Sequence, residues 1–387
     1  RRTQRMRPII HKYNRACFLT QTRDSKNVRR PMDYYFLIIT IIDIFTLSIM
    51  CVFVRYNGIL RKRLRFWFIS AFLLIILISI LELLTIVVDD GPASLRWLNI
   101  LANYLGFGLT PAVSIVLSFT LGKNRSQKMM AAAELVYLVV LGISLLFGGV
   151  FSVDRNNHYM RGDAFWIYLA AYFMSIVYLL VITVRTIRKY QNKSKNCIYL
   201  IAVFLIIGST IQVICPQIHV TWLCVTLLSI LYYVYCNIMW QELDGLTGLL
   251  NQSSYLNKTA SFNQDAILMV FDLDDFKDIN DQHGHLKGDQ CLVEVADSIR
   301  NAYFNDGLCY RIGGDEFFVL LNSDADTEAC EKRLQKELEK RRKTLAVLPE
   351  VSFGYAVFRA GDDINKVKDM ADLQMYQMKA LRKRSKM

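Results

Sequence analysis

The chain has 387 residues, 53% of them apolar, with 46 Lys and Arg against 34 Asp and Glu and a formal net charge of +12. That apolar content, with only 19 Gly and 6 Pro, excludes a purely soluble protein, and the length allows two or three units. The positive charge does not mark a nucleic-acid binder, because residues 240–387 carry twenty basic against twenty-five acidic side chains and the excess lies upstream. Nine Cys occur without a CxxC pair or a His at metal-ligand spacing, which reads as reduced, packed thiols.

Residues 1–31 form a basic tail, with ten Lys and Arg and one Asp in the first thirty positions. It has no apolar core and no cleavable signal pattern. The stretch MDYYFLIITIIDIF from Met32 reads as a natural start, with the tail upstream of it. Seven apolar segments follow over 32–239: Tyr34–Val54, Trp67–Val88, Trp97–Leu121, Ala131–Val153, Ala164–Val184, Ile198–Cys215 and Val220–Met239. Each has about the 17 to 25 residues that cross a bilayer as a helix, and none has the amphipathic face of a buried soluble helix.

The first, third and fifth connections hold Arg55, Arg61, Lys62, Arg63 and Arg65, then Lys123, Arg125 and Lys128, then Arg185, Arg188, Lys189, Lys193 and Lys195. The others hold only Arg96, Arg155 and Arg161 against Asp89, Asp90, Asp154 and Asp163. The positive-inside rule makes the odd connections and the C-terminal domain cytoplasmic, an orientation that the basic tail opposes unless the protein begins at Met32. The even connections are short, so a signal enters through the helices, the lipid or a small pocket. Asp43 and Glu82 stand out as ionisable groups within the spans, both in the outer half. Either they line one outward-facing pocket as a membrane input site, or each is protonated or hydrogen-bonded inside the bundle with a structural role only. The last span continues through Trp240, Gln241, Glu242 and Leu243 with no Pro or Gly, as a helix that transmits movement.

In the soluble domain, 240–387, the apolar run Ala266–Phe271 reads as a buried strand ending in Asp272 and Asp274, where α/β domains place ligands. Residues two apart on a strand share a face, so both carboxylates point one way, and Asp275 is a candidate helix N-cap. Asn280 has the amide, and Asp289 the carboxylate, that read a guanine edge, although Asp289 also suits a helix cap. The stretch Leu308–Leu321, LCYRIGGDEFFVLL, reads as a β-hairpin turning at Gly313, Gly314, Asp315 and Glu316. Such a turn lets backbone N–H groups approach phosphate while a neighbouring carboxylate offers a hard oxygen to Mg²⁺.

DGLTGLLN, FDLDDFKDINDQHGHLKGDQCL, RIGGDEF, VSFGYAVF and ADLQMYQMK, in that order and spacing, resemble the GGDEF family of diguanylate cyclases over residues 243–387. The resemblance does not extend to the apolar region, which reads as a membrane α-helical bundle of seven transmembrane helices; for the soluble domain it implies a palm-like α/β nucleotidyl cyclase fold with a mostly antiparallel central sheet. It also implies a homodimer that joins two GTP into cyclic di-GMP, each 3′-hydroxyl attacking the other α-phosphate, and the apolar spans place that homodimer in the bacterial inner membrane. The cofactor is then Mg²⁺ or Mn²⁺, held by Asp272, Asp315 and the Leu273 carbonyl.

In the same reading Glu316 positions metal or the attacking hydroxyl, and Gly313 and Gly314 let the turn lie against phosphates. Asn280 and Asp289 read guanine with support from Phe276, while Lys277, Lys379 and Lys383 meet phosphates. The chain departs from the family at Gln252, which follows Asn251 where Arg is usual, and at Arg382, Lys383 and Arg384, where Gly-Arg-Asn is usual. Phe304 and Gly307 stand where the product-inhibition motif RxxD has Arg and Asp, so that feedback site is expected to be missing. Two rival readings are a catalytically silent nucleotide receptor and a transporter with a regulatory domain.

Overall fold

The computed structural model describes residues 25–190 except Ile59 and Lys123, and residues 221–386 except Ser261, together with Val203 and Ile207. The chain divides into two compact units, one within Arg1–Val184 and Asn196–Val234 and the other within Arg185–Lys195 and Tyr235–Met387. The boundary thus falls five residues before the expected position 240, and a short piece of the fifth connection joins the second unit.

The first unit is built of helices α1 (Ser25–Tyr56), α2 (Lys62–Val88), α3 (Arg96–Ser118), α4 (Arg125–Ser144), α5 (Trp166–Lys189) and α6 (Thr221–Gln241), the last two reaching into the second unit. Among the described residues six helices are long and apolar enough to cross a membrane. The expected segment Ile198–Cys215 lies outside the described residues apart from two positions. Helix α1 begins before Met32, inside the basic tail, and its apolar part starts at Tyr35.

One expected span needs correction. The segment Ala131–Val153 is not one helix: α4 ends at Ser144, and Phe151–Val153 is strand β1, paired antiparallel with β2 (Tyr159–Arg161). Gly148, at φ 64°, takes a left-handed conformation that breaks the helix at little cost, and apolar content alone does not tell strand from helix. Polar side chains fix this hairpin. Asp89 accepts from Asn99 Nδ2 at 3.1 Å and from the Tyr159 N–H at 2.8 Å, Asn157 Nδ2 donates to the Val88 carbonyl at 2.7 Å, and Arg96 Nε donates to the Val153 carbonyl at 3.0 Å.

Packing in the first unit follows helical period. On α2 the buried set Leu64, Phe68, Ala71, Phe72, Ile75, Ile78 and Ser79 makes one stripe, and Phe68 meets Tyr233 of α6 edge to face at 5.1 Å between ring centroids. A capping box at Asn124 and Gln127 starts α4, and Gln127 Nε2 also donates to the Ser118 carbonyl at 2.7 Å, tying α4 to the end of α3.

The second unit holds β3 (Leu250–Asn251), α7 (Gln252–Thr259), β4 (Ala266–Leu273), α8 (Phe276–His283), α9 (His285–Tyr303), β5 (Gly307–Arg311), β6 (Glu316–Asn322), α10 (Thr327–Arg342), β7 (Val351–Phe358) and α11 (Ile364–Lys386). The sheet order is β3-β5-β6-β4-β7, antiparallel except for the β3–β5 pair, as the resemblance led us to expect. Strand alternation sorts its two faces. Met269, Phe271, Leu273, Phe317, Val319 and Leu321 pack with α9 and α10, whereas Leu268, Val270, Phe318 and Leu320 pack with Tyr255 and with Val367, Ala371 and Met375 of α11.

Candidate active site

The two motif segments meet because β4 and β6 are neighbours. Their register sets Asp272 opposite Glu316, and on the other side β7 sets Ser352 opposite Asp272. Asp272 and Glu316 have the parity of the residues that face α11, so α11 is the helix able to reach them. It does so with a row of basic side chains. Lys379 forms an ion pair with Asp272, Arg382 Nη1 lies 3.4 Å from Asp274 Oδ2 and donates to the Val351 carbonyl at 2.8 Å, and Lys383 Nζ lies 3.5 Å from Asp275 Oδ1. Buried Asp274 also accepts from Ser352 Oγ at 2.8 Å.

The electrostatics show how tightly these groups are gathered. Burial pushes the Asp272 carboxyl above its ordinary range against the pull of Lys379, and the charges of Asp315 and Asp274 add to the rise. Burial works against the Lys379 ammonium, yet Asp272, Asp274 and Asp315 together hold its pKa above the usual value. Two carboxylates, Asp272 and Asp315, therefore converge beside one ammonium. Among the described residues no group of three or more His, Cys, Asp or Glu could hold a metal ion, and the oxygens that could serve one here are this carboxylate pair and backbone carbonyls such as that of Leu273. Hard, oxygen-only donors of this kind fit Mg²⁺, which keeps several waters and takes few protein ligands.

The hairpin is found as expected, with Arg311 opposite Phe317 and the Ile312 N–H donating to the Glu316 carbonyl at 3.0 Å. Gly313 and Gly314 are exposed, and neither has a positive φ. A Cβ on Gly314 would meet no atom within 4 Å, and one on Gly313 would make only ordinary contact with Glu316. The fold itself therefore does not demand glycine at these two places.

Asn280 and Asp289 sit on α8 and α9, which cross closely. A Cβ on Gly288 would lie 2.0 Å from Asn280 Oδ1 and 3.3 Å from Phe276 Cζ, so glycine there is required for the Asn280 amide to lie where it does. Phe276 is partly buried against the core, while Asp289 and Lys277 are exposed. Asp275 occupies the N-cap position of α8 in left-handed geometry, φ 54°, but caps nothing with its side chain, so the expected N-cap hydrogen bond does not form.

Sequence reasoning assigned no role to Arg311 or Asp244. Arg311 donates from Nε and Nη2 to the Gly314 carbonyl at 3.2 and 2.8 Å, and its Nη1 pairs with Asp244 Oδ1 at 2.9 Å. Asp244 in turn accepts from the Thr247 N–H at 2.8 Å and Oγ1 at 2.6 Å. Burial opposes the Asp244 charge, but the hydrogen bonds from Thr247 and Arg311 hold its pKa below the ordinary carboxylate value. The DGLTG turn thus braces the GGDE turn from behind.

Residues 241–385 match the family model described as "Diguanylate cyclase, GGDEF domain". They form a GGDEF domain. This part of the chain is 34% identical over 149 residues to diguanylate cyclase DgcP of Escherichia coli K12, covering 35% of this chain and 44% of that protein. Over 146 residues it is 34% identical to diguanylate cyclase DgcS of Shewanella oneidensis, covering 35% and 49%. The chain spans less than half the length of these curated relatives. Among solved structures it is similar to the GGDEF domain of DgcB from Caulobacter crescentus in complex with c-di-GMP, at 28% identity and a TM-score of 0.32, covering 36% of this chain and 90% of that one. The five motif blocks quoted above lie within or next to the matched GGDEF residues, and the six apolar helices lie N-terminal to them or, for α6, run to their first residue.

Proposed function

We propose that the chain is a membrane-anchored diguanylate cyclase that condenses two GTP into cyclic di-GMP with release of two pyrophosphates. The observation that carries this reading is the pairing of Asp272 with the GGDE turn across β4 and β6, within a domain that matches the family. The glycines add support. Since neither packing nor backbone geometry asks for glycine at 313 and 314, the reason for it is something that approaches the turn from outside, and a triphosphate fits that role.

In this reading Asp272, Asp315 and the Leu273 carbonyl hold Mg²⁺, which screens the triphosphate and lowers the pKa of the attacking hydroxyl when bound. Lys379 passes from Asp272 to the phosphates as substrate enters, keeping its charge in the site. Glu316 aligns the attacking 3′-hydroxyl. Asn280, positioned by Gly288 and Phe276, reads the guanine edge together with Asp289, while Lys277 and Lys383 meet phosphate oxygens. Each half-site presents one GTP, so two copies face each other in the active species.

The membrane reading rests on the six long apolar helices and on the side chains they leave outward. Ile38, Ile41, Phe45, Val52 and Phe53 of α1 are all more than half exposed, a surface that suits lipid and not water. The catalytic domain is then cytoplasmic, and the helices carry the input. The test is incubation of the full chain in nanodiscs with GTP and Mg²⁺. Cyclic di-GMP formation abolished by Asp315→Asn supports the reading, whereas GTP binding without product at any protein concentration favours the silent receptor.

A further inference from the structure

Asp43 is where the first unit differs most from an apolar bundle. It lies on α1 with 1% of its surface exposed, and neither carboxylate oxygen makes a hydrogen bond. An ionised carboxylate in that state is not sustained by a marginally stable fold without compensation. Among the described residues the groups acting on it are Thr226 of α6 and Glu82 of α2, and neither carries positive charge. The Thr226 hydroxyl faces Asp43 without reaching hydrogen-bonding geometry. Ser79 stands three residues before Glu82, on the same face of α2. Ser79 and Thr226 are each 1% exposed, and neither hydroxyl has a hydrogen-bond partner.

This pattern selects among ways of neutralising the pair. A proton shared between two carboxyls needs their oxygens in contact, and Asp43 touches no acceptor. A proton on Asp43 alone removes the charge, but it leaves the buried Ser79 hydroxyl without a partner. A group seated between the side chains answers every unmet demand at once, because carboxylates and hydroxyls are the donors that hard metal ions take. The nearby cavity of about 70 Å³, lined by Thr110, Tyr172, Thr183, Trp222 and Ser229 among others, has no charged residue in its wall and offers nothing to balance a cation.

We propose that Asp43, Glu82, Ser79 and Thr226 form a binding site for a hard metal cation held through oxygen, and that this site is an input of the membrane unit. The input half of the proposal rests on the cyclase reading above, and the binding half does not. The test uses the full chain in nanodiscs carrying Asp272→Asn and Asp315→Asn, so that the catalytic site no longer contributes metal binding. Thermal unfolding is followed in NaCl and in CaCl₂ against choline chloride at equal ionic strength.

The expected result is a saturable rise in Tm of about 5 °C or more with one of the two salts, lost in Asp43→Asn. No saturable rise with either ion, or an equal rise in Asp43→Asn, overturns the site. Should Asp43→Asn fail to fold, equilibrium dialysis of the Asp272→Asn, Asp315→Asn protein with ²²Na⁺ and ⁴⁵Ca²⁺ decides: one ion per chain, weakened by Thr226→Val, supports the site, and none overturns it. In the protein with an intact catalytic site, the binding ion is expected to change the rate of cyclic di-GMP formation. Binding without that change overturns the input role and leaves the site standing.

Discussion

In the proposed mechanism Asp272 and Asp315 share the metal between them. Asp315→Asn is expected to lower cyclase turnover by about a thousandfold, on the scale of removing a charge that stabilises a transition state. It should leave Tm within a degree or two, as circular dichroism checks, because Asp315 is only half-buried in a turn. Gly288→Ala acts differently: it pushes the Asn280 amide aside, so KM for GTP should rise about tenfold, with a stability loss of roughly 1 to 3 kcal/mol. Asp244 supplies a pH test. Its folded pKa lies below the unfolded value, so its stabilising effect is present above the unfolded pKa and fades as pH falls through the folded one. Asp244→Asn should therefore flatten the acid limb of the stability profile of the full chain, and an unchanged limb contradicts the assignment. The carboxylates at the strand end and the turn were legible because motif and strand position coincide. Arg311 was not, since its partners Asp244 and Gly314 come from segments that only the β3–β5 pairing brings together.

At the scale of elements, the β5–β6 hairpin was readable because two apolar runs flank a turn of glycine and carboxylate, and strand parity then explains which helix faces the site. The α11 row of Lys379, Arg382 and Lys383 opposite Asp272, Asp274 and Asp275 was not readable, because nothing local in a polar helix names its partner. Arg382 stands at a position where the family has glycine, and its bond to the Val351 carbonyl fixes the end of α11 to the start of β7. The fourth apolar segment misled for a related reason: its residues suit both a span and a buried strand, and the deciding contacts from Asn99, Asn157 and Arg96 lie far along the chain. That hairpin carries its own prediction. The hydrogen bond and ion pair with Asp90 raise the pKa of His158, so the pair stabilises fully below the unfolded pKa, and the effect is lost as pH rises through the folded one. Tm measured between pH 5.5 and 8.5 should fall with rising pH by more in the parent protein than in His158→Gln.

For the whole molecule, six helices of membrane-crossing length among the described residues accompany a GGDEF domain, and the sequence changes from apolar to acidic composition near residue 240. What composition does not reveal is the buried polar set around Asp43, because a lone acid in an apolar run reads equally as a tolerated exception and as a site. If two half-sites must meet, the specific rate of the detergent-solubilised chain should climb with protein concentration and then level off, whereas a rate per chain independent of dilution under dissociating conditions contradicts a dimeric site. Cyclisation of GTP by the full chain can be measured directly. The full chain in nanodiscs, supplied with GTP and Mg²⁺, should yield cyclic di-GMP and pyrophosphate in a ratio of one to two, with no product from Asp272→Asn. Bound GTP with no cyclic di-GMP at any protein concentration is the result that contradicts it.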